Sequence, residues 1–345
     1  MSERIRAEIV AAGGWISFAR YMELALHAPG LGYYARGARQ FGAEGDFVTA
    51  PELGSLFGRT LAHQLRELDG PVLELGAGSG ALAETLLQEV EREYFILETS
   101  AALRARQQAR LGSKVQFVDR LPSRFRGVII ANEVADAIPV HAVAWRAGGI
   151  MERGVTSELK WAEKPANGEL LDSARALEVP VPYESEINLA ASGWMRSLAA
   201  SLEHGAIFII DYGFPRHEYY HPQRSMGTLM CHTRHRAHGD PFLHPGEQDI
   251  TAHVDFSALA AAAREAELDV LGYATQAQFL VNCGITEVLS QVNAENALHY
   301  APIAAEAQQL LSPAEMGELF KVLAVGRGVK PPLLGFSRGE RSHTL

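Results

Sequence analysis

From Pro71 onward the chain alternates two hydrophobic periods. Val72-Leu73-Glu74-Leu75 reads as a short apolar strand, Gly76 to Gly80 as a tight turn, and Ala81 to Val90 as a helix. Phe95-Ile96-Leu97 repeats the strand signal, Ala101 to Leu111 is helical, and Val115 to Val118 and Gly127 to Ala131 are third and fourth strands. Strands alternating with helices predict an α/β fold with a doubly wound, mostly parallel, Rossmann-like sheet. The pattern breaks at about Val140 to Val179, where Gly148-Gly149, Pro165 and Asn167-Gly168 predict a β-hairpin-rich insertion. It resumes with a helix from Leu189 to Leu202 and a strand from Ala206 to Asp211. After a long polar segment come a helix from Phe256 to Ala266, a strand from Leu268 to Tyr273 and a last strand from Lys321 to Val325.

Upstream, residues 1–68 read as mostly helical. The amphipathic run Phe18 to Leu26 ends at the breaker His27-Ala28-Pro29-Gly30, and a second helix is expected from Leu53 to Leu68. The expected organisation is therefore a helical, substrate-side extension (1–68), the ligand-binding half of the core (69–140), the insertion (141–180), a continuation of the core (181–212), a polar lid (213–255) and the C-terminal part of the core (256–345).

A chain of 345 residues has room for such a core with additions. Its formal charge of −10 argues against a nucleic-acid partner and favours cationic ones. Two cysteines, Cys231 and Cys283, are too few for a disulfide scaffold and fit a reducing compartment. Met1 to Arg20 lacks a secretory apolar region, and no stretch reaches the ~18 apolar residues of a membrane helix. No stable membrane insertion is expected. Cytoplasmic residence is the default, with the mitochondrial matrix for a eukaryotic chain whose transit peptide has been removed.

The chemistry concentrates at two strand ends. Glu74-Leu75-Gly76-Ala77-Gly78-Ser79-Gly80 follows a buried strand and opens a helix, so backbone can pass close to a ligand beside free helical N–H groups. Glu98, ending the second strand, can accept both hydroxyl protons of a ribose. The spacing also scores as Gly-x-Gly-x-x-Ala with Ala81, a dinucleotide pattern, which leaves a nicotinamide-dependent oxidoreductase as an alternative. Against it stand Glu74, two residues before the first glycine, and the lack of a hydride-transfer constellation downstream. The fuller reading is a class I S-adenosylmethionine-dependent methyltransferase, with Glu74, Gly76, Ala77, Gly78, Gly80, Glu98 and Asn132 as cofactor-binding candidates.

Asn132-Glu133 follows the fourth strand, at the edge where open α/β sheets bind ligands. Asn132 also fits a helix cap and Glu133 its first turn. Methyl transfer to a guanidinium requires the cation to be held in plane, which carboxylates do by paired hydrogen bonds. Glu133 and Glu52 are the candidate clamps, Asp46 would shape the same pocket from the N-terminal loop, and Asn132 completes the catalytic candidates.

Beyond these two strand ends, motifs spread along the chain carry a specific resemblance. They are Gly32-Tyr33-Tyr34, Gly45-Asp46-Phe47-Val48-Thr49-Ala50-Pro51-Glu52, the Glu74–Gly80 turn, Asn132-Glu133 with Asp136-Ala137-Ile138-Pro139-Val140, Asp211-Tyr212-Gly213, and Gly246 to Phe256. On them the chain resembles the MidA family across nearly its whole length. That family's mitochondrial members are arginine methyltransferases that assist assembly of respiratory complex I. The resemblance implies S-adenosyl-L-methionine as donor and a protein substrate with an accessible arginine, a complex I subunit among the targets. It implies that the turn from Gly76 to Gly80 holds the amino-acid end of the cofactor, Glu98 its ribose, and Asn132 and Glu133 the methyl-transfer edge. Ala50 and Ala135 stand where relatives often carry Ser and Leu.

Cys231, His232, His235, His238, His244 and His253 lie in the lid without the paired spacing of a structural zinc site, so no metal is expected. An assembly factor that uses the fold for binding alone is a third reading. A homodimer stays open.

Overall fold

The computed structural model describes residues 1–36, 48–233, 236–293 and 295–345. Its main sheet has seven principal strands: β1 (Val72–Leu75), β2 (Tyr94–Leu97), β3 (Gln116–Val118), β4 (Phe125–Asn132), β5 (Leu202–Phe214), β6 (Asp269–Thr275) and β7 (Phe320–Arg327). They lie in the order β6-β7-β5-β4-β1-β2-β3, with Val254–Asp255 pairing along the end of β5. β1 to β5 are parallel, and β7 runs antiparallel to both its neighbours.

The near-continuous apolar runs of β4 and β5 follow from burial on both faces. Val128 and Ile130 point to a layer that includes the helices Leu56–Leu65 and Ala81–Glu89. Ile129 and Ala131 point to the opposite layer, made by the helices Leu189–Ser201 and Phe256–Glu265. Asn188 and Asp255 start these last two helices by accepting the N–H groups of Ala191 (2.8 Å) and Ala258 (3.0 Å). A third cluster packs the helices Ser2–Ala11 and Phe18–His27 over the C-terminal rim, against Val140, Val155 and Ile250.

Strand order reverses between β1 and β4, which opens a crevice at their C-terminal ends. The register levels the rim: Leu75 pairs with both Leu97 and Ala131, so Gly76, Glu98 and Asn132 follow at one height.

Several expectations are corrected. The N-terminal segment adds to its helices a strand, Trp15–Ser17, pairing antiparallel with Gly149–Thr156 of the insertion. The insertion holds strands His141–Arg146, Gly149–Thr156 and Trp161–Pro165, and also a helix, Gly168–Arg175. The expected helix from Leu53 to Leu68 divides into Ala50–Leu53 and Leu56–Leu65. Glu306 supplies the second helix's missing cap, accepting the N–H of Leu56 at 2.7 Å from 250 positions away. The lid is not irregular throughout: Met230–Thr233, Arg236–His238 and Asp249–Thr251 form a small antiparallel sheet, which pairs backbone groups that burial would otherwise leave unsatisfied. Among the described residues, four helices between β6 and β7, Gln276–Asn282, Ile285–Ser290, Ala297–Leu311 and Met316–Leu319, add to the C-terminal part of the core. Among the described residues no helix is long and apolar enough to cross a membrane.

Phe208 lies at the middle of β5 with 0% exposure, its ring 6.3 Å from that of Phe279. Phe208→Ala removes a large side chain from the layer where the late helices meet the sheet. It is expected to lower stability by about 3–5 kcal/mol in urea denaturation, with the native secondary structure retained.

Candidate active site

The crevice is lined from five directions: the glycine turn, the ends of β2 and β4, the N-terminal segment around His27 and Tyr34, and the stretch from Thr49 to Glu52. After β1 the chain turns on Gly76 (φ 60°) and Gly78 (φ 55°), in the left-handed region that side chains resist. A Cβ on Gly76 would also press on Val134 at 3.1 Å. Gly80 serves differently: it is the N-cap of the helix Ala81–Glu89 and packs against Leu111, outside the crevice lining. Ala77 and Gly78 line the crevice, and no side chain caps the helix that follows them.

Glu98 is a fixed acceptor. The Ser100 N–H donates to its Oε1 (2.8 Å) and Gln107 Nε2 to its Oε2 (3.0 Å), while the same amide nitrogen reaches the Gly78 carbonyl at 2.9 Å. Gln107 thereby ties the ribose candidate to the glycine turn. Burial raises the Glu98 carboxyl above its ordinary range, partly offset by these bonds. Glu74, one residue before the end of β1, is buried and receives the Tyr94 hydroxyl at 2.7 Å, and burial pushes it up to about 7.

Glu52 accepts the Ser79 hydroxyl, which places its carboxylate on the glycine turn. Glu133 stands at the end of β4. Its backbone has φ 53°, rare for a side-chain-bearing residue, and its N–H is fixed to the Ile210 carbonyl at 2.8 Å. Oε1 accepts from Asn132 Nδ2 (3.2 Å) and the Ala50 N–H (3.3 Å). Burial first, then the neighbouring charge of Asp136, pushes the Glu133 carboxyl up to about 8. Asn132 Oδ1 is buried without a partner among the described residues. Asp46 lies outside the described residues.

Sequence reasoning about roles missed Asp136, Asp211 and Tyr212. Asp211, fully buried in β5 one residue beyond its pairing with β4, accepts the N–H groups of Val134, Ala135 and Asp136 at 3.2, 2.9 and 3.3 Å. The Tyr212 hydroxyl donates to Asp136. An acid ending the apolar run Ile207-Phe208-Ile209-Ile210 was the available signal. On the opposite wall the His27 and Tyr34 rings stack at 5.7 Å, and the Tyr34 hydroxyl reaches Asp249 of the lid at 2.9 Å.

The donor set fits S-adenosyl-L-methionine, whose sulfonium and ammonium are cationic. Glu52, Glu74, Glu98, Glu133 and Asp136 face the crevice, and among its described lining residues there is no lysine or arginine. A dinucleotide would put its pyrophosphate where the turn meets the Glu52 carboxylate, a like-charge contact. The electrostatics separate the two readings that the glycine spacing leaves open.

Residues 56–274, more than half of the chain, match the model of a family described as S-adenosyl-L-methionine-dependent methyltransferases. A crystal structure from Burkholderia thailandensis bound to S-adenosyl-homocysteine is 49% identical, with a TM-score of 0.96, covering 100% of this chain and 96% of that one. Among curated proteins, the chain is 28% identical to the "Protein arginine methyltransferase NDUFAF7 homolog, mitochondrial" of Drosophila melanogaster, over 98% of this chain and 88% of that one. To the human "Protein arginine methyltransferase NDUFAF7, mitochondrial" it is 25% identical, over 92% and 81%. The turn, the acidic crevice and these likenesses converge: the chain belongs to the MidA family of S-adenosyl-L-methionine-dependent methyltransferases, and S-adenosyl-L-methionine is its cofactor.

Proposed function

We propose that this methyltransferase modifies a guanidinium nitrogen of an arginine on a protein. The observation that carries this reading is Glu133, a carboxylate fixed at a strained strand end inside the cofactor crevice. The curated relatives named as protein arginine methyltransferases support it. A binding-only assembly factor has no need of such a group. The family resemblance points to a complex I subunit as one target, and to the cytoplasm, or the matrix for a processed chain, as the place of action.

The turn from Gly76 to Gly78 would hold the amino-acid end of the cofactor, with Glu52 beside its ammonium, and Glu98 would hold the ribose hydroxyls. Bound there, S-adenosyl-L-methionine supplies an electrophilic methyl group. Glu133 orients the acceptor through Oε2 while Asn132 and Ala50 hold Oε1. The attacking nitrogen must lose one proton for the product to remain a singly charged guanidinium, and in this reading the Glu133 carboxylate takes it.

Titration calorimetry tests the cofactor half. S-adenosyl-homocysteine is expected to bind and NAD is not; NAD binding alone would reverse the assignment. Gly78→Val should abolish binding in a folded protein, since a β-branched residue resists φ 55°. Glu98→Ala should weaken it by about 1–3 kcal/mol through lost bonds to the ribose, and an unchanged constant would remove Glu98 from the site.

Single-turnover transfer from labelled cofactor into a cell extract, read by mass spectrometry, tests the acceptor half. Glu133→Gln should slow transfer by about 10²-fold while S-adenosyl-homocysteine affinity stays within a few-fold. Label on oxygen instead of arginine nitrogen would refute the acceptor assignment. The ionised Glu133 is the working form, so the single-turnover rate should rise with pH and level off above about 8. Stability should run the opposite way. Glu133 titrates near 4.5 when unfolded and about 8 when folded, so its contribution is full below the lower value and is lost as pH rises through the upper one. The charges of Asp136 and Asp249 raise Glu133 further, and the Glu133 charge in turn raises Asp211. Thermal melts of the unliganded protein should therefore fall between about pH 4.5 and 8, and less so in Glu133→Gln; an equal fall in both would remove Glu133 as the source.

A further inference from the structure

A guanidinium carries five N–H donors in a planar fork, and one carboxylate can engage two of them. The arginine reading therefore calls for a second acceptor. Glu52, the sequence candidate, is turned to Ser79 on the cofactor side. Three residues beyond Glu133 stands another acid on the same crevice, Asp136, only 6% exposed.

Asp136 is held at its backbone and at one carboxylate oxygen. Its N–H goes to Asp211 at 3.3 Å and its carbonyl accepts from Ala252 at 3.1 Å. Its Oδ2 receives the Tyr212 hydroxyl. The Tyr212 ring is wedged edge-on between His253 (5.1 Å) and Phe320 (5.4 Å), so the hydroxyl has little freedom to leave. Oδ1, in contrast, is buried with no hydrogen-bond partner among the described residues. An unpartnered buried carboxylate oxygen is unfavourable in the empty protein, and a donor-rich cation removes that penalty on arrival. The Asp136 charge opposes ionisation of Glu133, so a cation bound between them relieves that opposition.

We propose that Asp136 is the second acceptor-binding residue, forming with Glu133 a two-carboxylate clamp for the guanidinium, and that Tyr212 is the positioning residue that fixes its orientation. This rests on the arginine reading above. The clamp selects for a planar cation: a citrulline side chain has the same outline but lacks the charge and one donor group.

The test uses the full chain saturated with S-adenosyl-homocysteine and two probes, Nα-acetyl-arginine methylamide and Nα-acetyl-citrulline methylamide, with affinities read by ligand-observed NMR titration. The parent protein should prefer the arginine probe by on the order of 10-fold or more. Asp136→Asn should bring the two probes within about 3-fold of each other, with S-adenosyl-homocysteine affinity unchanged. Tyr212→Phe should give an intermediate loss. A purely structural Asp136 would weaken both probes alike, and that result overturns the proposal. If Glu133→Gln erases the preference while Asp136→Asn keeps it, Asp136 is excluded and the arginine reading survives. If the parent itself shows no preference, the arginine reading falls, and the clamp with it. Should Asp136→Asn fail to fold, Tyr212→Phe decides: it keeps the carboxylate and frees its orientation, so an undiminished preference overturns the proposal.

Discussion

The active-site rim depends on one carboxylate that faces no ligand. Asp211 gathers three consecutive N–H groups of the loop after β4 onto a single oxygen. Without it those donors would lie at the end of a strand with no ladder to join, and the loop would have no reason to keep one path. With it, Glu133 and Asp136 become rigid extensions of β5 as well as of β4. Burial and the neighbouring acids hold Asp211 well above the ordinary carboxylate range, which marks how far the fold goes in assembling like charges here.

The same concentration of acids explains why a crevice of common architecture takes one kind of cofactor. Doubly wound sheets bind phosphates and sulfonium compounds at the same switch point, and glycine turns of both kinds look alike in backbone. Here the Glu52 carboxylate sits on Ser79 of the turn and the Glu133 carboxylate at the rim, an acidic setting unfavourable to a phosphate and favourable to a sulfonium. The charge pattern around the turn separates the two chemistries where the glycine spacing alone does not.

What could be read from the chain follows physical range. β1 to β4 and their helices were legible because each is a local periodic signal, and Glu98 and Asn132 were placed by their position at strand ends. Trp15–Ser17 was not, since three residues make a strand only when Gly149–Thr156 is beside them. The cap from Glu306 and the hydroxyl from Tyr212 span 250 and 76 positions, and no local pattern announces such partners. Glu52 shows the same limit from the other side. Its residue type suited an acceptor clamp, and only the fold reveals that its hydrogen-bond donor is Ser79.

The antiparallel pairing of Trp15–Ser17 with Gly149–Thr156 sets the order in which this molecule can be completed during synthesis. The helices Ser2–Ala11 and Phe18–His27 leave the ribosome well before Gly149–Thr156, carrying Ile5, Ile9, Phe18 and Tyr21, all fully buried in the finished fold. Their covering strand is more than a hundred residues behind. At roughly 5–20 residues per second, that apolar face waits on the order of 10 s for its partner. A nascent chain of this protein thus carries an unpaired apolar face until Gly149–Thr156 has emerged to cover it.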